Sequence, residues 1–129
     1  MEGITNINPI TVLEKGILKA PHDYPIITDL KEKECQISSN GIDLRINETI
    51  TLQPGKFKNV ELMERFNMDG VFGAIWTRSS FSRRGIFHTA GLFDESGPIR
   101  ITLYNMGNES VTIDKGTRVC QMVVFNQHG

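Results

Sequence analysis

At 129 residues, with 39% hydrophobic and 22% charged residues, the chain has material for one globular core and little for a second. A net charge of −1 excludes the broad basic surface that a general nucleic-acid or anionic-membrane binder needs, so any anion site must be local. No apolar run approaches the ~20 residues of a membrane span, and the opening MEGITNINPI has neither the basic region nor the apolar stretch of a secretory signal.

The only clear helix signal comes first. Asn8 caps, Pro9 suits the first helical position and Gly16 stops the run, which predicts a helix over about residues 9–15 with Ile10, Leu13 and Ile17 inward. Residues 19 to 35, with Pro21, Pro25 and KEKEC, read as a surface connection. From about residue 41 the signals are strands and turns. GIDLRI alternates, with Ile42, Leu44 and Ile46 on one face and Asp43 and Arg45 on the other. Pro54-Gly55 marks a turn, FKNVELM a strand, and MERFNMDG a polar piece with room for one helical turn. VFGAIW reads as a buried strand interrupted by Gly73, with Trp76 in the core, and GIFHTAGLF as one further strand on which His88 is packed or at the surface. DESG is a turn, and IRITLYN places Ile99, Ile101 and Leu103 inward. MGNES then closes a hairpin onto VTI, and TRVCQMVVF is the last strand. The pattern predicts a single all-β domain over residues 1–129, a sandwich or jelly roll with one short N-terminal helix and a β core from about 41 to 125.

Cys35 and Cys120 are the only cysteines, and Cys120 reads as core packing, so two reduced thiols in a cytoplasmic setting are expected. His22, His88 and His128 are scattered without zinc-ligand spacing. The chemistry concentrates at residues 77 to 86, TRSSFSRRGI, where Arg78, Arg83 and Arg84 surround Ser79, Ser80 and Ser82. Guanidinium forks and hydroxyls in one place suit a phosphate chain, and equally a solvated turn between strands.

Taken in order, SSNGIDLRI, TRSSFSRRGI, TAGLFDESGPIRITLYN and KGTRVCQMVVF resemble the first four signature motifs of the dUTPase and dCTP deaminase superfamily. CQISSNGIDLRI and the helix ending in EKGIL resemble the deaminase branch more closely. The resemblance implies a distorted jelly roll of the β-clip type, a homotrimer with sites between subunits, and a deoxynucleoside triphosphate bound with Mg²⁺ carried on its phosphates. Neither a nucleic-acid nor a membrane partner is expected. By the same resemblance Arg78, Ser79 and Ser80 contact phosphates, with Arg83 assisting as in the deaminase branch. Gln121 reaches a phosphate from the last strand, Asp43 supports the first motif, and Asp94 activates water to release pyrophosphate and dUMP, with dUTP the expected substrate. Read alone, Asp43 equally braces a strand end, Gln121 a core edge, and Asp94 a turn.

Departures at three places, the third motif, position 102 and the fifth motif, bear on activity. Asp94 is followed by Glu95-Ser96-Gly97, with no aromatic residue to shape a base pocket. The hairpin is shorter than the family's by about two residues on each arm, an even change that keeps the strand faces. Thr102 stands where the deaminases carry their catalytic glutamate, and threonine cannot shuttle the protons of deamination, which argues against that reaction. The Gly-rich fifth motif that covers the phosphates is not found in NQHG. Two readings follow: a minimal dUTP diphosphatase, or an inactive dUTPase-fold protein serving as a regulatory or structural module. A short chain with contracted motifs would suit a virus, which would make the setting a host cytoplasm.

Overall fold

The computed structural model describes residues 4–67, 70–89 and 92–127. Met68, Asp69, Ala90, Gly91 and His128 of the stretches discussed above lie outside that range. The chain runs β1 (Ile4–Asn6), α1 (Pro9–Glu14), β2 (Leu18–Lys19), β3 (Ile42–Arg45), β4 (Ile50–Leu52), β5 (Phe57–Phe66) and β6 (Val71–Thr77). Then come α2 (Ser79–Ser82), β7 (Ile86–Thr89), β8 (Leu92–Phe93), β9 (Gly97–Asn105), β10 (Val111–Ile113) and β11 (Arg118–Gln127). Among the described residues no helix is long and apolar enough to cross a membrane.

Among the described residues the strands form three sheets. One has the order β1-β11-β6-β8, with β3 also paired to β11; a second has the order β2-β5-β9-β7; and β10 pairs with β4. All the pairings between these strands are antiparallel. Leu44, Ile75, Met122 and Val124 of the first sheet share one contiguous core with Val60, Leu62, Ile99, Ile101 and Leu103 of the second. The alternation read in IDLRI and IRITLYN is therefore the core-facing period of two strands in different sheets.

The N-terminal helix forms as its signals dictate. Asn8 Oδ1 accepts from the Ile10 amide at 2.9 Å, with Pro9 at the first helical position. The inward stripe differs from expectation. Pro9 and Val12 are buried and Leu13 is partly so, whereas Ile10 is exposed, since a helix starting at Pro9 faces inward at i, i+3 and i+4.

Other expectations are corrected. MERF is not helical: β5 continues to Phe66, with a register shift against β9 between Glu61 and Arg65. The shift breaks the two-residue period, so Leu62, Met63 and Glu64 are buried in succession and no strand alternation is visible in the sequence. VFGAIW is uninterrupted at Gly73, where a Cβ would stand 2.7 Å from Met122 Sδ. GIFHTAGLF is two strands, β7 paired to β9 in one sheet and β8 paired to β6 in the other. MGNES does not fold VTI back onto β9; β10 pairs with β4, and the buried Asn105 amide donates to the Leu52 and Glu109 carbonyls to hold the turn. Cys120 is core as expected, and both cysteines are free thiols.

The register shift in β5 also turns a charged residue inward. Glu64, fully buried, accepts from the Arg45 amide at 2.9 Å, from Arg45 Nε at 2.7 Å and from Gln36 Nε2 at 3.0 Å. Arg45 also donates to the carbonyls of Tyr24 and Pro25, and Gln36 accepts from the Ile27 amide. This network ties the segment between β2 and β3 to the interior. Replacing Glu64 with Ala leaves the Arg45 guanidinium buried without its carboxylate. Urea unfolding should show a loss of about 3–5 kcal/mol, and an unchanged midpoint would mean the pair is dispensable.

Candidate functional site

β3, β11 and β6 lie side by side, and their register sets Asp43, Gln121 and Trp76 directly opposite one another. Residues opposite across neighbouring strands share a face. Ile42, Met122 and Ile75 form the adjacent row and are buried, so the Asp43–Gln121–Trp76 row stands on the outer face. Trp76, expected in the core, is instead 51% exposed, because the inward positions of β6 are Val71, Gly73 and Ile75.

Arg78 follows Trp76 by two positions. Its amide donates to the Val119 carbonyl at 3.1 Å as the chain leaves β6 for α2. Its Nε lies 3.7 Å from Asp43 Oδ2, and its Nη1 donates to the Arg118 carbonyl at 3.3 Å. Arg118 Nη1 donates to the same Asp43 oxygen at 3.2 Å, so one carboxylate oxygen sits between two guanidiniums. Burial raises the pKa of Asp43 above the ordinary aspartate value, and the opposing pull of Arg78 and Arg118 does not fully cancel it. Arg118 also donates to Glu34 Oε2 at 3.1 Å, so the two guanidiniums of the cluster are matched by two carboxylates. The Arg78 side chain is 30% exposed, and a guanidinium has five N–H donors. Donors beyond those used on Asp43 and the Arg118 carbonyl are available to an anion.

Gln121 Nε2 donates to Ser38 Oγ at 2.6 Å, and Ser38 is itself held to Gly41 through Oγ. The backbone of Asp43 is fixed from the buried network: its amide donates to the Gln36 carbonyl at 2.7 Å and its carbonyl accepts from Gln36 Nε2 at 2.9 Å. Three sequence-predicted residues, Asp43, Arg78 and Gln121, therefore meet on one face. Arg118, Ser38 and Gln36, not anticipated, complete their support. Arg118 was readable as a lone cation opening an apolar strand.

Ser79 and Ser80 are exposed on the single turn of α2 directly after Arg78. Gly85, with φ of 85°, turns the chain from α2 into β7, and a Cβ there would meet the Gly107 amide nitrogen at 2.5 Å. Arg83 lies at the other end of α2, exposed, on a cleft of about 420 Å³ shared with Gly107 and Glu109. It is not brought to the Asp43 cluster. Asp94 is exposed beyond the end of β8. The Phe93–Gly73 pairing sends it toward Phe72, roughly 20 Å along β6 from Arg78 at 3.3 Å per residue. Within one chain, then, the predicted base and the predicted phosphate ligands stand apart. His88 bridges strands of the two sheets: its Nε2–H donates to the Ile75 carbonyl at 3.0 Å, and Nδ1 accepts from the Thr77 hydroxyl.

Among the described residues no group of three or more His, Cys, Asp or Glu could hold a metal ion. The two carboxylates there, Asp43 and Glu34, are already engaged by arginines. The donor set fits an anion, and a protein-held cation does not fit it.

Comparison with known proteins places the molecule in a class with this architecture. The family described as dCTP deaminase-like matches residues 44–127. A deoxyuridine 5'-triphosphate nucleotidohydrolase of Baumannia cicadellinicola is 37% identical over 93 residues, covering 66% of this chain and 62% of that one. The crystal structure of a 2'-deoxycytidine 5'-triphosphate deaminase from Agrobacterium tumefaciens superposes with a TM-score of 0.78 at 13% identity, covering 98% of this chain and 50% of that one. The EIAV dUTPase superposes with a TM-score of 0.62 at 17% identity, covering 98% and 90%. The fold is thus the distorted jelly roll of the dUTPases. The chain belongs to the dCTP deaminase-like family of the dUTPase and dCTP deaminase superfamily. It spans between 8% and 62% of the length of several curated relatives that it matches.

Gly41, just before β3, permits a close approach to β11 beside the site. A Cβ there would stand 2.6 Å from the Met122 carbonyl oxygen and 2.8 Å from Gln121 Cγ. Gly41→Ala should lower stability by about 1–3 kcal/mol in urea and displace the Gln121 side chain. A variant as stable as the parent would mean that the approach relaxes freely.

Proposed function

We propose that the protein binds a deoxynucleoside triphosphate, dUTP by preference, and hydrolyses it to dUMP and pyrophosphate. The observation that carries this reading is Arg78. Its guanidinium is held by Asp43 on the face that bears Gln121, and it is followed at once by Ser79 and Ser80 at the surface. Two cations braced on one carboxylate, with an amide and hydroxyls alongside, suit a polyphosphate better than any neutral ligand.

Phosphoryl chemistry depends mainly on positioning and on neutralising charge as it shifts among oxygens. Arg78, Ser79, Ser80 and Gln121 would hold the phosphate oxygens, with Arg83 reaching the chain from the far end of α2. Mg²⁺ arrives on the triphosphate as part of the substrate, in keeping with a cluster that offers it no cage. Asp94 would take a proton from water as the water oxygen bonds to the α-phosphorus. The bond to the bridging oxygen then breaks and pyrophosphate leaves. Because Asp94 and Arg78 are far apart in one chain, the site would draw them from different copies, as in a homotrimer. Deamination finds no support: Thr102 donates its hydroxyl to Asn59 Oδ1 at 2.6 Å and offers no acid. The free thiols suit a reducing cytoplasm, of a host if the protein is viral.

A second reading, an inactive binding or regulatory module, is favoured by the DESG turn, where no aromatic residue follows Asp94. Pyrophosphate release with Mg²⁺ from dUTP, dCTP, dTTP and UTP decides between them. Release from dUTP, lowered roughly 10²- to 10⁴-fold in kcat by Asp94→Asn with affinity retained, supports the enzyme. Binding without release supports the module, and absence of both sinks the proposal. Light scattering should report a trimer; a stable monomer at micromolar concentration would rule out a shared site.

A further inference from the structure

Trp76 is the only tryptophan, and at 51% exposed it contributes little to the core that Ile75 enters beside it. Its ring stands half in water on the same outer face as Gln121, beside the strand end that carries Arg78. Its backbone is well fixed. His88 binds the carbonyl of the residue before it and the hydroxyl of the residue after it, so the indole stands on a strand that cannot easily roll. Across β11 it faces Gln121, and two positions on is Arg78. The row from Asp43 to Trp76 crosses two inter-strand spacings, about 10 Å, with charge at one end and a π-face at the other.

That juxtaposition matches a ligand with an anionic chain and a flat ring. We infer that Trp76 is the stacking platform for the base of the nucleotide whose phosphates meet Arg78, an inference that rests on the nucleotide reading above. Stacking accepts every base, because each has a π-face. Trp76 therefore supplies affinity and leaves the choice among bases to other contacts.

A single tryptophan makes its emission a direct reporter. In the unmodified protein with Mg²⁺, dUTP, dCTP and dTTP should each quench it, whereas inorganic tripolyphosphate should bind with little quenching. By calorimetry, Trp76→Ala should weaken dUTP binding roughly 10- to 100-fold, leave tripolyphosphate unchanged, and be largely rescued by Trp76→Phe. Unchanged dUTP affinity in Trp76→Ala overturns the inference. So does an equal loss for both ligands, which would make the ring a structural support. An indole shielded from acrylamide before any ligand is added would place it between copies of the chain and overturn it as well. Arg78→Ala separates the two levels. If it abolishes binding of both ligands while Trp76→Ala does nothing, only the stacking role fails. If it leaves tripolyphosphate binding intact, the phosphate site itself is wrong, and the stacking role falls with it.

Discussion

The buried carboxylate of Glu64 is the interaction on which the strap between β2 and β3 depends. Its two oxygens take three hydrogen bonds, two from Arg45 and one from Gln36, and these partners spend their remaining donors and acceptors on backbone groups of residues 24 to 43. A segment without regular strands is thereby fixed against the body by charge-assisted bonds in a dry interior, where an unmade bond is costly. The network is fully satisfied: among the described residues no buried side-chain nitrogen or oxygen lacks a partner.

From that anchor the order passes outward through one residue. Gln36 holds both backbone groups of Asp43, and the Asp43 side chain on the opposite face holds Arg118 and Arg78. Alternation along β3 is what allows this, since Leu44 and Asp43 point to opposite faces while sharing one backbone. Positions far apart in sequence, at 38, 43, 78, 118 and 121, are gathered because β11 is paired on both edges, with β3 on one side and β6 on the other. The charged face is thus a by-product of the same ladders that close the core.

Much of this was legible before any coordinates. Strand faces in IDLRI and IRITLYN follow from a two-residue period, the helix start from Asn8-Pro9, and the gathering of Asp43, Arg78 and Gln121 from motif resemblance. What was missed shares a cause: local pattern is silent about pairing. The register shift in β5 hides a strand inside MERF and turns Glu64 inward, where its sequence context reads as polar surface. Trp76 seemed core because VFGAIW is apolar throughout, yet the odd-numbered positions of β6 take the interior. The division of GIFHTAGLF between two sheets and the β10–β4 pairing depend on contacts with distant strands. Arg118 acquires meaning only once Asp43 lies across from it.

The two thiols, unremarkable as packing groups, differ sharply as chemical handles. Burial pushes the Cys120 thiol far above the ordinary cysteine value, with the nearby carboxylates of Glu64 and Asp43 adding to the shift. Since the thiolate is the reacting form, that sulfur is inert to alkylation and oxidation while the fold persists. Cys35 is only partly buried, and its carbonyl is the group that receives Arg118 Nη1 at 2.8 Å. The native chain therefore offers one addressable sulfur on the strap bordering the arginine cluster, a ready point for a spectroscopic label, while the second becomes available only on unfolding.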